Sequence, residues 1–260
     1  MKLSVEGRNV IITGGSEGLG LATALAYAKA GANVAVLARR PEPLERARAQ
    51  IAAAGNGKVC ALSCDVSSAT DLQRAHAEVV AALGGVDVLI NNAGKSQAFA
   101  FEGISDEVWQ ADLDLKLFAA IRLTRLVWPG MKERRWGRVI NVLNTFAKAP
   151  IPNSAPTSVT RAAGLALTKV LGSEGAPHNI LVNALLVGLI ESEQTARFHA
   201  GTGAGKPYEE FVADMGRRIP IGRIGRAEEF ANTALFLGSD AASYLTGTAI
   251  NVDGGSCPVV

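Results

Sequence analysis

Thr13-Gly14-Gly15-Ser16-Glu17-Gly18-Leu19-Gly20 is the stretch that decides the fold which this sequence predicts. It follows an apolar run, Asn9 to Ile12, and precedes an Ala/Leu-rich run, Leu21 to Ala30, so a buried strand leads into a helix here. The glycines let the backbone approach a ligand closely, and the start of the helix directs free N–H groups towards an anion. The turn therefore predicts a binding site for the pyrophosphate of a dinucleotide.

The same turn contains a second motif, because Gly14 to Gly18 match the G-x-S-x-G nucleophile elbow of serine hydrolases. Such an elbow needs an upstream segment that forms an oxyanion hole and a downstream histidine. Only thirteen residues precede Gly14, and the last histidine, His199, lies far from the C-terminus. The dinucleotide site is therefore the favoured interpretation.

The composition favours one α/β domain. The chain has 260 residues, of which 48% are hydrophobic, and its net charge is +2. Strand-like and helix-like stretches alternate without a linker or a charge block, which predicts one domain over residues 1–260. A basic cluster, Lys132, Arg134, Arg135 and Arg138, falls where a long helix should end, and cations there complement the helix dipole. We therefore expect no nucleic-acid partner.

The sequence shows neither a signal segment nor a membrane span. Met1-Lys2-Leu3-Ser4 leads directly into charged residues. The longest apolar stretch, Ile180 to Ile190, is interrupted by Asn183 and Gly188 and is typical of a buried strand. We expect a cytoplasmic protein without a membrane partner. The three cysteines form no disulfide framework and the three histidines lack ligand spacing, so we also expect no metal site.

The second strand, Asn33 to Ala38, indicates which nicotinamide nucleotide is bound. It ends at Arg39, where an NAD-binding protein of this kind carries an acidic residue for the ribose 2′-hydroxyl. A cation at this place pairs with a 2′-phosphate, so NADP(H) is favoured over NAD(H). Glu17 in the glycine turn supplies no second cation.

Two further strands end in residues that suit a nucleotide site. The third strand leads into Asp65 and Val66, and the Asp65 carboxylate can accept a hydrogen bond from an adenine amino group or serve as a turn residue. Ser68 and Asp71 form a pattern like a capping box for the next helix, which favours the ligand role. The fourth strand leads into Asn91-Asn92-Ala93-Gly94. The Asn91 amide can link neighbouring strands, while Ala93 and Gly94 leave room for a ribose.

Together these motifs resemble the short-chain dehydrogenase/reductase family. The resemblance extends from about residue 5 to 256 and includes the glycine turn, Asp65, Asn91 to Gly94, Asn183 to Gly188 and Val252-Asp253-Gly254-Gly255. It implies a single-domain doubly wound parallel sheet with helices on both faces, the Rossmann fold. It also implies NAD or NADP, with contacts that include Gly188 and Arg161, hydride transfer between nicotinamide and an alcohol or carbonyl, and a homodimer or homotetramer.

The resemblance also implies a non-standard active site. The chemistry of the family rests on a Tyr, a Lys four residues later, a Ser and an Asn. By position, the Tyr and Lys correspond to Thr157 and Arg161, the Ser to Asn144, and the Asn to Lys116. An aliphatic hydroxyl is a weaker acid than a phenol. Asn144 can still donate a hydrogen bond to a substrate oxygen, and Arg161 can bind ribose hydroxyls or a carboxylate but cannot pass on its proton.

Lys116 has two interpretations. A lysine in a partly dry cleft can have a lowered pKa and act as a proton donor or as an amine nucleophile. Alternatively, Lys116 forms an ion pair on the helix face with Asp112, four residues earlier. With Lys95, Lys148 and Arg161 it predicts a preference for an anionic substrate.

Residues 189–216 are expected to form a substrate lid, with a flexible hinge at the glycine-rich segment from Gly201 to Gly205. Tyr208 and His199 in this segment either supply the acid that Thr157 does not, or only cover the substrate. In the helix from Thr157 onwards, small residues allow close packing across a subunit interface or within the monomer.

Three functions remain open from the sequence. The first is an NADP(H)-preferring oxidoreductase with a rebuilt site and a small-molecule substrate. The second is a non-redox enzyme of the acid/base, lyase or isomerase type that uses Lys116 in the same pocket. The third is an NADP(H)-binding protein without catalysis.

Overall fold

The computed structural model describes residues 3–202 and 205–260. Three residues named above lie outside the described residues: Met1, Lys2, and Gly203 of the predicted hinge. The strands, in chain order, are β1 (Asn9–Thr13), β2 (Asn33–Ala38), β3 (Val59–Ser63), β4 (Val88–Asn91), β5 (Ala98–Phe99), β6 (Gly137–Asn144), β7 (Ala155–Pro156), β8 (Ile180–Val187) and β9 (Ala249–Val252).

The helices alternate with the strands. In chain order they are α1 (Gly18–Lys29), α2 (Pro41–Ala54), α3 (Ala69–Leu83), α4 (Asp106–Leu113), α5 (Ala119–Arg134), α6 (Thr157–Gly175), α7 (Glu193–Thr202), α8 (Tyr208–Gly216) and α9 (Ala227–Gly238). A π-helical turn, Asp114–Phe118, joins α4 to α5 without a break in the helix. The sequence predicted this long helix but not the turn inside it.

Seven strands of the described residues form one parallel sheet in the order β3-β2-β1-β4-β6-β8-β9. The direction of winding reverses between β1 and β4, which are paired neighbours. Loops diverge at such a reversal and leave a crevice at the carboxyl ends of the strands. The glycine turn follows β1 and Asn92 follows β4, so both predicted nucleotide motifs lie at this crevice. The predicted doubly wound Rossmann fold is confirmed.

The core lies on both faces of the sheet, because successive side chains of a strand point to opposite sides. In β1, Val10 and Ile12 pack in one cluster with Tyr27 of α1 and Phe230 of α9. Ile11, between them, packs in the opposite cluster with helix residues such as Leu123 of α5. All are fully buried. Strands covered on both faces are apolar without alternation, which is why β1 appears in the sequence as a continuous apolar run.

The basic cluster at the end of α5 is partly structural. Arg138 is 1% exposed, and its guanidinium carbon lies 4.2 Å from the centre of the Trp136 ring. Arg134 Nε donates to the carboxylate of Asp87 at 3.3 Å. Two of the four cations therefore fix the end of the helix against the sheet.

Two glycines of α6 serve packing inside the monomer, whereas Ala162 and Ala166 of this helix are exposed. A Cβ atom on Gly164 would lie 2.8 Å from Leu143 Cδ2, and one on Gly172 would lie 2.7 Å from the backbone of Gly247. Thiols of Cys60, Cys64 and Cys257 are free. Along residues 3–202 and 205–260, no helix is both long and apolar enough to cross a membrane.

Candidate functional site

A cleft of about 510 Å³ lies at the reversal of winding and extends from the glycine turn to α6. It brings together most of the residues that the sequence predicted for cofactor and substrate. These are Gly14, Ser16, Glu17, Gly18, Leu19, Gly20, Arg39, Val66, Ala93, Gly94, Asn144, Thr157 and Arg161. The phosphate-binding motif and three of the four predicted catalytic positions therefore share one cavity, and Lys116 does not line it.

The glycine turn leaves no space for side chains at its centre. Gly14 and Gly18 have φ angles of +65° and +54°, which favour glycine. A Cβ atom on Gly20 would lie 2.1 Å from the carbonyl oxygen of Gly14. The first turn of α1 carries no acidic residue, so its N–H groups and dipole are available to an anion. A dinucleotide pyrophosphate therefore fits this cradle.

Asn92 holds the turn in place, a role that the sequence analysis missed. Its Nδ2 donates to the carbonyl oxygen of Thr13 at 2.9 Å. Thr13 Oγ1 in turn accepts from the backbone N–H groups of Asn92 and Ala93, each at 2.9 Å. The end of β4 is thus bonded to the start of the glycine turn. The pair of asparagines was the available signal, but the sequence does not say which amide faces the cleft.

Asn91 is the other amide, and its side chain lies inside the fold. It is 8% exposed, and its Nδ2 donates to Asn141 Oδ1 of β6 at 2.9 Å and to Thr124 Oγ1 of α5 at 3.3 Å. The expected link between strands is therefore present. Asn92 and Ala93 form the cleft wall here, and a contact of Asn91 with the cofactor stays a prediction.

Asp65 is used in a turn. Its Oδ1 accepts hydrogen bonds from the N–H and the hydroxyl of Ser67, at 3.0 and 2.6 Å. The carboxylate of Asp71 accepts from the N–H of Asp65, so the expected reciprocal bond to Ser68 is replaced. Cys64 and Val66 form the cleft wall at this point. Asp65 therefore has the turn role, and its contact with an adenine amino group stays a prediction.

Two glycines that the sequence assigned to the cofactor also have a packing role within the protein. A Cβ atom on Gly188 would lie 2.6 Å from Asp253 Cβ, so this glycine lets β8 pass close to the chain after β9. Val187 and Ser192 line the cleft nearby. A Cβ atom on Gly94 would lie 2.5 Å from Arg161 NH2. Gly94 thus makes room for Arg161, and its predicted place beside a ribose stays a prediction.

The end of β2 presents two arginines to the cleft. Arg39 is exposed and lines it. Arg40 also lines it, and its NH2 forms an ion pair with Glu17 Oε2 at 2.5 Å. Glu17 therefore adds no positive charge to this end of the cleft, and it also neutralises the charge of Arg40.

Thr157 lies where the cleft meets the buried interior and is 3% exposed. Its Oγ1 accepts a hydrogen bond from Lys116 Nζ at 2.7 Å and another from the backbone N–H of Gln97 at 2.9 Å. A hydroxyl oxygen has two acceptor sites and one proton. Both acceptor sites are therefore occupied from the protein side, and the hydroxyl proton is left to donate into the cleft.

Lys116 belongs to the π-helical turn, and its side chain is completely buried together with that of Asp112. Lys116 Nζ donates to Asp112 Oδ1, and Asp112 Oδ2 accepts from Thr160 Oγ1 at 2.7 Å. The predicted ion pair exists, but it is an interior pair and not a solvated pair on the helix face. Burial lowers the pKa of Lys116 to about 8, while Asp112 opposes this shift.

Arg161 and Asn144 complete this end of the cleft. Arg161 NH1 donates to the carbonyl oxygen of Val142 at 2.7 Å, and burial lowers the pKa of the guanidinium to about 10. Asn144 ends β6, and its Oδ1 is buried without a hydrogen-bond partner among the described residues. A buried polar atom without a hydrogen-bond partner beside a cleft indicates that a further group, such as a ligand or a water molecule, bonds to it there.

Two other residues that the sequence predicted for the site, Lys148 and His199, form contacts elsewhere. Lys148 Nζ donates to the carbonyl oxygen of Ala249 and to Asn251 Oδ1, each at 3.0 Å, so it anchors β9. His199 Nε2 lies 2.7 Å from the carbonyl oxygen of Lys206, and its ring packs edge-on against Tyr208. The expected group of four cations is thus reduced to Lys95 and Arg161 on the cleft wall. Among the described residues, no cluster of His, Cys, Asp and Glu is arranged to hold a metal.

Comparison with known proteins agrees with this geometry. The family model described as enoyl-(acyl carrier protein) reductase matches residues 14–256. Human dehydrogenase/reductase SDR family member 4 is 35% identical over 247 residues, which cover 95% of this chain and 86% of the relative. The match therefore includes the whole region from the glycine turn to the last strand.

Two solved structures are similar over nearly their full length. One is L-sorbose reductase from Gluconobacter frateurii complexed with NADPH and L-sorbose, with 31% identity, a TM-score of 0.94 and complete coverage of both chains. The other is the NADPH-bound structure of a short-chain oxidoreductase from Pseudomonas aeruginosa PAO1 that contains an atypical catalytic center. It is 32% identical, with a TM-score of 0.91 and 99% coverage of each chain. This chain therefore belongs to the short-chain dehydrogenase/reductase family of nicotinamide-dependent oxidoreductases.

Proposed function

We propose that this protein is an NADP(H)-preferring oxidoreductase that interconverts an alcohol and a carbonyl of a small molecule, using a non-standard active site. The observation that carries the proposal is the Thr157 hydroxyl, whose two acceptor sites are filled and whose proton is left for the same cleft that the glycine turn borders. A donor in this position suits the oxygen of a carbonyl. A bound nicotinamide supplies or accepts the hydride.

We assign the contacts of the cofactor to residues that line the cleft. The glycine turn would hold the pyrophosphate, Arg39 the 2′-phosphate, and Val66 and Ala93 the adenosine half. Arg161 presents a planar guanidinium that suits ribose hydroxyls or a substrate carboxylate. The NADPH-bound structures of similar proteins support this assignment.

Three of the four replaced side chains line the cleft at the place assigned to the substrate oxygen, and the fourth, Lys116, lies behind Thr157. Thr157, Arg161, Asn144 and Lys116 occupy the family positions of Tyr, Lys, Ser and Asn. The non-standard site is supported by the direct hydrogen bond between two of the replacements, from Lys116 to Thr157. Asn144 is assigned as a hydrogen-bond partner of the substrate oxygen.

The burial of Lys116 bears on the alternative of a non-redox enzyme. Imine formation needs an amine that a carbonyl carbon can reach, and the Lys116 side chain is 0% exposed and bonded to Asp112 and Thr157. The lyase or isomerase alternative with Lys116 as nucleophile therefore has less support than redox chemistry. The lid over residues 189–216, a homodimer or homotetramer, an anionic substrate and a cytoplasmic location stay predictions.

The first test is a parallel fluorescence titration of the purified protein with NADPH and NADH. We expect tighter binding of NADPH. Arg39→Ala should weaken NADPH binding about tenfold and leave NADH binding unchanged, because only NADPH carries the 2′-phosphate. Arg46→Ala is the control, since Arg46 lies on α2 and pairs with Glu42. An equal loss for both nucleotides would remove Arg39 as the phosphate partner.

A second titration tests how the charge of Glu17 affects the predicted site for the 2′-phosphate. Glu17→Gln should tighten NADPH binding several-fold, because Arg40 is then free to approach the 2′-phosphate. The gain should shrink as salt is added, since the groups are exposed. The matched control is Glu42→Gln, which breaks a similar exposed pair with Arg46. A loss of NADPH affinity in Glu17→Gln would mean that Glu17 itself contacts the nucleotide.

A further inference from the structure

The proton for the substrate oxygen needs a source, because Thr157 is a poor acid by itself. The pKa of an aliphatic hydroxyl lies several units above that of a phenol. In the proposed reduction, a hydroxyl of this kind would have to become an alkoxide after giving up its proton. Such an alkoxide is accessible only if a second group returns a proton to it at once.

Lys116 is the group in contact with Thr157 that can do so. Its Nζ lies 2.7 Å from Thr157 Oγ1 and is separated from solvent, because the side chain is 0% exposed. Arg161 lies on the same cleft but keeps its proton under all ordinary conditions. A proton that leaves Lys116 can therefore pass through the Thr157 hydroxyl into the cleft.

The ammonium group is held in position by two helices. Asp112 of α4 binds it through Oδ1, and the other oxygen of this carboxylate accepts from Thr160 of α6 at 2.7 Å. Thr160 is one turn after Thr157 on α6, so the relay hydroxyl and the support of the carboxylate belong to one rigid element. Buried polar groups with every member bonded are well fixed.

We infer that Lys116 is the proton source for the substrate oxygen, that Thr157 is the relay between them, and that Asp112 and Thr160 are positioning residues. This inference rests on the proposed oxidoreductase function. As the carbonyl carbon gains a hydride, its π electron pair moves to oxygen. That oxygen takes the Thr157 proton, and Thr157 takes one from Lys116. Lys116 is left as a neutral amine and regains a proton from the cleft through the same hydroxyl.

The charges around Lys116 suit this cycle. Burial lowers its pKa most, Arg161 of α6 and Lys95 of the loop after β4 lower it further, and Asp112 of α4 raises it, with about 8 as the result. Reduction needs the ammonium form, so its rate should be level below that pH and fall about tenfold per pH unit above it. Oxidation needs the amine and should rise with pH up to the same point.

The test compares the wild type with Asp112→Asn/Lys116→Met, a double variant that leaves no unpaired charge. NADPH oxidation is measured against pH with benzaldehyde, ethyl acetoacetate and L-sorbose as probes. We expect a loss of at least about a hundredfold in the variant and the disappearance of the fall above pH 8. Lys132→Met, an exposed lysine of α5, is the matched control and should behave as wild type.

A second readout needs no turnover. NMR of lysine labelled with carbon-13 at Cε should show one resonance that titrates near pH 8 and is missing from the double variant. A Lys116 resonance that stays in its charged position up to pH 10 would overturn the inference, as would equal rates in wild type and variant. A wild type that binds NADPH but reduces none of the probes would instead overturn the proposed function.

Discussion

Thr157→Val should lower the rate of carbonyl reduction about 10²–10³-fold while NADPH affinity stays nearly unchanged. Valine keeps the shape of threonine and removes the hydroxyl that faces the cleft. The Lys116 ammonium then lacks its bond to Thr157, and no proton passes from the interior to the substrate. Steady-state kinetics with the probe carbonyls and a fluorescence titration with NADPH measure the two quantities.

Thr157→Ser is the matched control for this prediction. Serine keeps a hydroxyl that can accept from Lys116 and from the N–H of Gln97, so we expect it to recover most of the rate. The effect should fall on kcat more than on KM, because the hydroxyl acts on the charge that develops at the oxygen. A Thr157→Val protein with the rate of the wild type would remove this hydroxyl from the mechanism.

Lys116→Met alone should lower the free energy of unfolding by about 3–5 kcal/mol, because it leaves the Asp112 carboxylate buried and without a counter-charge. Asp112 and Lys116 are both fully buried, so water cannot replace the missing partner. Urea unfolding followed by circular dichroism measures the change.

The double variant Asp112→Asn/Lys116→Met should recover most of this stability, since it removes both charges and keeps an amide that can accept from Thr160. Activity should stay low in both variants, which separates folding from chemistry. Lys132→Met should change the free energy of unfolding by less than about 0.5 kcal/mol, as an exposed substitution does. A single variant as stable as the wild type would show that the buried pair is not charged.

Local sequence signals were sufficient for the fold and for the position of the glycine turn at the cleft. The glycine turn, α1 and β1 follow from patterns within a few residues of each other, and the structure confirms the strand, the turn and the helix there. Strand β1 is fully apolar because both faces of the sheet are covered there. Arg39 likewise ends β2 on the cleft wall, as its place in the sequence indicated.

Contacts between distant segments could not be predicted in this way. The choice between Asn91 and Asn92 depends on which face of β4 meets β6 and which meets the glycine turn. Gly94 was assigned to a ligand because the chain gives no sign that Arg161, far along the sequence, fills that space. Each of these roles is decided by packing across the sheet.

The burial of Lys116 could not be predicted from local sequence signals either. The spacing to Asp112 predicts an ion pair whether the pair is exposed or buried. The π-helical turn and the packing of α6 against it place the pair in the interior, beside Thr157. That location changes a modest surface contact into an energetically large one, and it joins two of the replaced catalytic positions by a hydrogen bond.

The most direct test of the account is deuterium transfer from NADPH labelled at its transferable position. The protein is incubated with this NADPH and a panel of aldehydes, ketones, oxoesters and ketoses, and the products are analysed by mass spectrometry. The account predicts one deuterium on the carbinol carbon of a product alcohol, and at least about a hundredfold less labelled product from Thr157→Val in the same short incubation. Tight NADPH binding without label in any product would contradict it.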